Sequence, residues 1–127
     1  MKGRRRTLGD THPSTLMSIN NLGLLLQDQG KLSEAEPLFR EALEGKRRTL
    51  GDTHPSTLIS IGNLGVLLKA QGKLSEAEPL HREALEGRRR TLGDTHPDTL
   101  GSINNLGKLL YTQGKLSEEE PRFAVAG

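Results

Sequence analysis

Apolar residues along this chain recur every three or four positions, which is the spacing of one face of an α-helix. Two such faces alternate, and short polar segments separate them. The first face consists of Leu16, Ile19, Leu22, Gly23 and Leu26. The second face consists of Ala35, Leu38, Phe39, Ala42, Leu43 and Leu50. The pattern therefore predicts pairs of amphipathic helices that are joined by short turns.

Proline, glycine and a capping motif predict where these helices begin and end. Pro13 suits a first helical position, since it lacks only an N–H that would be unpaired there. Gly30 can adopt the left-handed conformation that ends a helix, and Ser33–Glu36 has the form of a capping box for the next one. Gly45 falls inside the second helix, where glycine costs about 1 kcal/mol relative to alanine. We therefore expect Gly45→Ala to stabilise the protein.

The two-helix unit is repeated almost without change. Arg5–Pro13 recurs at Arg47–Pro55 and at Arg89–Pro97, so the period is 42 residues. The predicted helices span 13–29, 33–50, 55–71, 75–92 and 97–113, with a short one from 117. The predicted units are the tail of a preceding helix at 1–9, repeats at 10–51 and 52–93, and a truncated repeat at 94–127. Because each unit can bury its apolar face on the next, we expect one all-α domain over 1–127, a right-handed solenoid of tandem helix–turn–helix repeats.

Residues at fixed positions of each unit resemble the tetratricopeptide signature. The positions that carry this resemblance are Ile19, Leu22, Gly23, Leu26, Ala35, Phe39 and Ala42. The usual unit has 34 residues; the longer unit, with Asn-Asn-Leu-Gly, Gln-Gly-Lys-Leu and Glu-Ala-Glu-Pro-Leu, resembles the repeats of kinesin light chains. The resemblance implies a non-catalytic protein–protein interaction scaffold that needs no cofactor. It also implies that a peptide or protein segment binds in a concave groove lined by the first helix of each unit.

Differences between the copies fall mainly on that first helix. Seven positions differ between Arg4–Gly45 and Lys46–Gly87, and five of them lie on the first helix. At about 100° per residue, these five fall within a stripe about 100° wide, away from the apolar face. Exposed positions can vary by drift, yet the exposed glutamates of the second helix are identical in the two copies. We therefore interpret the varied stripe as a recognition surface.

The predicted groove combines the varied stripe with an adjacent row of asparagines. Its residues are Met17, Asn20, Asn21, Leu24, Gln27, Asp28, Ile59, Asn63, Val66, Lys69, Asn104, Asn105, Lys108, Tyr111 and Thr112. The resemblance implies that Asn21, Asn63 and Asn105 hydrogen-bond the backbone or carboxylate of a bound peptide; the alternative is that they bond a neighbouring helix. The cations Lys69 and Lys108 favour an acidic partner, or one with a free C-terminal carboxylate.

Other kinds of site have weaker support in the sequence. His12, His54 and His96 occur once per repeat, too far apart for one metal ion, so we assign them to helix starts and predict no metal site. Nothing in the sequence indicates catalysis. Aromatic residues make up only 2% of the chain, so basic segments such as Arg88–Arg90 lack partners for stacking on bases, and nucleic-acid binding is disfavoured. No apolar run approaches the roughly 20 residues of a membrane span, and we expect a cytoplasmic protein.

Two alternatives to peptide binding remain open. The chain begins and ends within second helices whose fragments add up to one whole helix, which favours head-to-tail association of molecules. In that hypothesis Leu16, Ile19, Leu116 and Phe123 are incompletely covered in a single molecule. The near-identity of the copies also fits an idealised or excised array that has no native ligand.

Overall fold

The computed structural model describes residues 12–114, and these residues form five α-helices and no strand. The helices are α1 (Pro13–Asp28), α2 (Leu32–Leu50), α3 (Pro55–Ala70), α4 (Leu74–Leu92) and α5 (Pro97–Thr112). Each helix packs against the next one along the chain, and α3 also contacts α5. The predicted all-α array of helix pairs is therefore confirmed. The predicted tail at 1–9 and the predicted helix from 117, with Leu116 and Phe123, lie outside the described residues.

A histidine caps the start of each first helix. Nδ1 of His12 accepts a hydrogen bond from the backbone N–H of Ser14 at 3.1 Å. His54 and His96 cap α3 and α5 in the same way, each at 3.0 Å. A proline follows each histidine at the first helical position, where its missing N–H costs nothing. The assignment of these histidines to helix starts is confirmed.

The second helix of each unit begins earlier than the sequence predicts. The N-cap of α2 is Lys31, which makes no side-chain capping bond. The backbone N–H of Lys31 donates to the carbonyl of Leu26 at 2.8 Å, and Gly30 lies between them with a φ of 80°. This Schellman turn ends α1 and brings the chain directly into α2. The predicted capping box at Ser33–Glu36 is wrong, because the helix has already begun when the chain reaches Ser33.

The core lies both within and between the helix pairs, and it corrects two expectations from the sequence. Leu16 is 3% and Ile19 is 0% exposed, because both pack against Ala42 and Leu38 of α2. The expectation that α1 leaves these two residues partly uncovered is therefore wrong. Leu50 is 43% exposed, although the pattern assigns it to the buried face. It lies on the wall of an open cavity instead of in the core.

Two glycines of the second helices are contact points between helices. A Cβ added at Gly45 would lie 2.5 Å from Cδ2 of Leu16, and one added at Gly87 would lie 2.7 Å from Cδ2 of Leu58. Carbon atoms in contact are normally about 3.5–4.0 Å apart. Each leucine thus packs directly on the backbone of the neighbouring helix. This close approach opposes the expectation that Gly45→Ala stabilises the protein, because the added methyl group would overlap Leu16 unless that side chain shifts.

Ion pairs join the second helices of successive units. The guanidinium group of Arg47 on α2 donates two hydrogen bonds to the carboxylate of Glu83 on α4, at 2.6 and 2.8 Å. Hydrogen bonding to this carboxylate raises the pKa of Arg47. Lys73 and Arg40 each lie 2.8 Å from the carboxylate of Glu36, and their hydrogen bonds lower the pKa of Glu36. Part of the charge on the second helices therefore holds adjacent units together.

Candidate binding groove

The varied positions of the first helices present large apolar side chains to solvent. Met17 of α1 is 64% exposed, and Ile59, at the equivalent position of α3, is 51% exposed. Two helical turns further on, Leu24 is 38% and Val66 is 41% exposed. Single exposed apolar residues are common on protein surfaces. Exposure at the same positions of the first helices of two successive repeats instead indicates a recurring apolar surface, which is typical of interaction sites.

A cavity of about 520 Å³ lies between α3 and α5. Its lining consists of Lys69, Ile103, Asn104, Gly107, Lys108, Tyr111 and Thr112. All of these except Ile103 and Gly107 belong to the predicted groove. The sequence does not indicate that Ile103 lines the groove, because Ile103 falls on the apolar face of its helix. Its equivalents Ile19 and Ile61 are fully buried core residues.

This cavity is cationic at its rim. Lys69 and Lys108 supply two positive charges, and no carboxylate lines the cavity among residues 12–114. The Thr112 hydroxyl donates to the backbone carbonyl of Lys108 at 2.9 Å, and Tyr111 is 65% exposed. The acidic residue of the predicted groove, Asp28, is exposed at the end of α1. An anionic group could therefore bind here beside an accessible aromatic ring.

A second cavity, of about 240 Å³, lies among the start of α1, the end of α2 and the start of α3. Its lining consists of Pro13, Leu16, Met17, Asn20, Lys46, Thr49, Leu50 and Ser56. Met17 and Asn20 belong to the predicted groove. Lys46 is not part of the predicted groove, because the sequence shows it only as one of several cations near a helix end.

The predicted row of asparagines does not reach these two cavities. Asn21 is exposed, whereas Asn63 and Asn105 are half-buried, and none of the three lines either cavity. The amides that do line them belong to the preceding residues, Asn20 and Asn104. Gln27, at the end of α1, is half-buried.

A buried histidine lies beneath the groove in the second repeat. His81 occupies the position of Phe39 in the first repeat and is 2% exposed, so it is a core residue. Its Nε2 atom would lie 2.8 Å from a Cβ added at Gly65, which shows how closely the ring packs on α3. Burial, together with the charge of Lys69, lowers the pKa of His81. The neutral imidazole is therefore the form that suits the core.

Two kinds of site are missing from the part of the chain that the structure describes. Residues 12–114 contain no cluster of three histidine, aspartate or glutamate side chains that could hold a metal ion. None of the five helices is long and apolar enough to cross a membrane.

Comparison with known proteins places this architecture among repeat proteins. A sequence model described as tetratricopeptide repeat matches residues 1–48, 16–90 and 63–126. A crystal structure of nearly identical TPR-like repeats, assigned to a kinesin light chain of Podosopora anserina, superposes with a TM-score of 0.84 at 30% identity, over 92% of this chain and 56% of that one. The crystal structure of BtubC (BKLC) from P. vanneervenii superposes with a TM-score of 0.83 at 25% identity, over 99% of this chain and 54% of that one. The chain thus spans just over half the length of these structures, and no curated protein matches it.

Proposed function

Because this chain belongs to the tetratricopeptide-repeat family, we propose that it is a non-catalytic scaffold that binds an extended peptide or protein segment along α1, α3 and α5. Repeats of this family generally mediate protein–protein interactions. The cavity between α3 and α5 carries the proposal, since most of its wall consists of positions that vary between otherwise near-identical repeats. A cytoplasmic location is part of the same proposal.

The charge of the groove favours an acidic partner. Within the described part of the chain, Lys69 and Lys108 are the charged residues that line the larger cavity, and their field attracts an anionic segment before contact. A free C-terminal carboxylate would meet the same cations. Amides both donate and accept hydrogen bonds. Asn104 in the cavity, together with its neighbour Asn105 and with Asn63 of the preceding repeat, would therefore bind the peptide backbone.

Peptide selection followed by charge reversal tests this proposal. Random dodecapeptides displayed on phage are selected on the immobilised full chain, and the affinity of a labelled winner is measured by fluorescence anisotropy. We expect acidic sequences and at least a tenfold loss of affinity when Lys69→Glu and Lys108→Glu are combined. The control combines Arg48→Glu and Arg90→Glu on α2 and α4, whose side chains are each 68% exposed. Neutral winners, or equal losses in both variants, would refute the proposal.

The asparagine row is tested separately from the groove. Asn63→Ala combined with Asn105→Ala removes two amides without removing a hydrogen bond within the described residues. We expect weaker binding of the selected peptide and an unchanged melting temperature. Unchanged binding would exclude the asparagine row and leave the charge of the groove as the basis of recognition.

Exposure at α5 favours a second candidate function, association of molecules end to end. Leu100 and Ile103 are 51% and 39% exposed, whereas the equivalent Leu58 and Ile61 are 2% and 0% exposed. A helix of another molecule packed on α5 would cover both residues. Light scattering over a concentration series should then show assemblies, and Leu100→Ser should abolish them. Leu25→Ser is the control, since Leu25 is 52% exposed on α1, and it should leave the assemblies intact. A monomer at all concentrations would exclude this function.

A further inference from the structure

Each second helix ends in a threonine that follows three basic residues and precedes a leucine. The segment is Lys46–Leu50 in α2 and Arg88–Leu92 in α4, and the sequence has the same pattern at Arg4–Leu8, outside the described residues. Cations near the end of a helix interact favourably with its dipole, but that interaction does not require a hydroxyl at a fixed distance from them. A hydroxyl two and three positions after basic residues is a pattern that arginine-directed protein kinases recognise, because carboxylates in their substrate sites pair with these cations.

The threonines and the leucines that follow them are open to solvent. Thr49 and Thr91 are both exposed. Leu50 is 43% and Leu92 is 38% exposed, so neither is a core residue, although helical spacing assigns Leu50 to the buried face. An enzyme that binds either segment can therefore reach the hydroxyl and the apolar side chain directly after it.

Glycines on both sides make these segments prone to unwinding. Gly87 precedes Arg88–Leu92, and Gly93 ends α4 with a φ of 91°. Glycine weakens a helix by about 1 kcal/mol relative to alanine, and helix ends open more readily than helix interiors. The Thr91 hydroxyl donates to the carbonyl of Gly87 at 2.8 Å, a bond that lies within this same turn. Unwinding from Arg88 onward therefore frees the hydroxyl and extends the five residues that a kinase binds.

We propose that Thr91 and Thr49 are phosphorylation sites of an arginine-directed protein kinase, and that Thr91 is the preferred site. The γ-phosphoryl group of ATP passes to Oγ1 of the threonine, its bond to ADP breaks, and the hydroxyl proton passes to a carboxylate of the kinase. The product carries about two negative charges at the end of a helix, where the dipole disfavours them. Phosphorylation therefore loosens the end of the helix and the turn into the next repeat. The inference is independent of the proposed peptide binding.

Ion pairs distinguish the two sites. In α2, the arginine two positions before the threonine is Arg47, which donates to the carboxylate of Glu83 at 2.6 and 2.8 Å. The equivalent residue of α4 is Arg89, which lies 3.5 Å from the carboxylate of Asp94. The side chain of Arg89 is 48% exposed, against 28% for Arg47. Because a kinase has to displace these carboxylates, Thr91 should be modified faster than its equivalent in α2.

Incubation of the folded full chain with ATP and the catalytic subunit of cyclic-AMP-dependent protein kinase, an arginine-directed enzyme, tests the inference. Mass spectrometry then locates the phosphate. Thr53 and Thr95 are internal controls, since both are exposed but follow no basic residue at two or three positions before them. We expect phosphate on Thr91, slower modification of Thr49 by at least threefold, and none on the two controls. An unmodified Thr91, or equal modification of Thr95, would overturn the inference.

Two variants test the recognition and the order of the sites. Arg89→Gln removes the guanidinium group two positions before Thr91 and only an exposed ion pair, so folding should be retained. It should slow modification of Thr91 at least tenfold, and an unchanged rate would overturn the inference. Glu83→Gln releases Arg47 and should accelerate modification of Thr49 alone. Equal acceleration at both sites would instead indicate a general loosening of the chain and overturn the role of the ion pair.

The structural effect of the phosphate is measured on the modified chain. Its melting temperature should lie a few degrees below that of the untreated chain, with faster amide hydrogen exchange in Arg88–Leu92. The control replaces the threonine of all three basic segments by valine (Thr7→Val, Thr49→Val and Thr91→Val), and treatment with the kinase should then leave the melting temperature unchanged. If the phosphorylated parent kept both its melting temperature and its exchange rates, the proposed loosening would be wrong.

Discussion

The contact between Gly45 and Leu16 leads to a prediction that is opposite in sign to helix propensity. Alanine is favoured over glycine within a helix by about 1 kcal/mol. In α2, however, the added methyl carbon would lie 2.5 Å from Cδ2, 3.1 Å from Cδ1 and 3.3 Å from Cγ of Leu16. Rotation about the Cβ–Cγ bond of Leu16 would move both methyl carbons but leave Cγ at 3.3 Å, so the methyl group is accommodated only if Leu16 changes its position in the core.

The expected magnitude follows from two opposing effects. Overpacking of a filled core costs about 1–3 kcal/mol, and Leu16, at 3% exposure, has little space to move into. Subtracting the propensity gain of about 1 kcal/mol leaves a net loss of about 1 kcal/mol for Gly45→Ala. For a chain of this size, that loss lowers the melting temperature by a few degrees.

A double-mutant cycle with Leu16→Ala, followed by denaturant unfolding, measures this contact directly. In the Leu16→Ala background the overlap is absent, so Gly45→Ala should stabilise the protein by about 1 kcal/mol. Gly62→Ala is the matched control, since an added Cβ there has no atom within 4 Å among the described residues, and it should also stabilise. If Gly45→Ala raised stability in the parent as much as Gly62→Ala does, the packing of Leu16 on Gly45 would be wrong.

Three further predictions concern the core, the ion pairs and the groove. Burial lowers the pKa of His81, so the neutral ring stabilises the folded protein above the ordinary histidine pKa of about 6.5. This stabilisation is lost as the pH falls through the lowered pKa of the folded state. The melting temperature should therefore fall more between pH 7.5 and pH 5 in the parent than in His81→Phe, and equal falls would contradict this. Glu83→Gln removes a partly exposed pair with Arg47 and should cost about 0.5–1 kcal/mol at low salt and less in 1 M salt; a cost independent of salt would contradict the ion pair. Tyr111→Ala should weaken binding of the selected peptide at least tenfold by anisotropy, since exposed aromatic residues are frequent anchors of interfaces; an unchanged affinity would place the peptide elsewhere.

Local signals were sufficient to predict the helices. The repeated His-Pro pairs predict helix starts at 13, 55 and 97, and the structure begins α1, α3 and α5 at these residues. Gly30 predicts a helix end and adopts a positive φ of 80° there. These predictions hold because proline and glycine restrict the backbone locally, whatever the helices pack against.

Contacts between helices could not be predicted in the same way. Gly45 and Gly62 are both helical glycines, yet only Gly45 lies against a leucine of another helix. Lys46 and Arg48 are neighbours in one basic segment, yet Lys46 lines a cavity and Arg48 is 68% exposed. Helical spacing identifies which residues share a face, but the partner of that face depends on how the helices cross.

The most direct test of the groove is to map where a selected peptide binds. The acidic dodecapeptide is synthesised with a photoreactive benzophenone at either end, irradiated with the full chain, and the crosslinked residues are identified by mass spectrometry. The account predicts crosslinks on the exposed face of α1, α3 and α5, at residues such as Met17, Val66 and Tyr111. Crosslinks confined to α2 and α4 would contradict it.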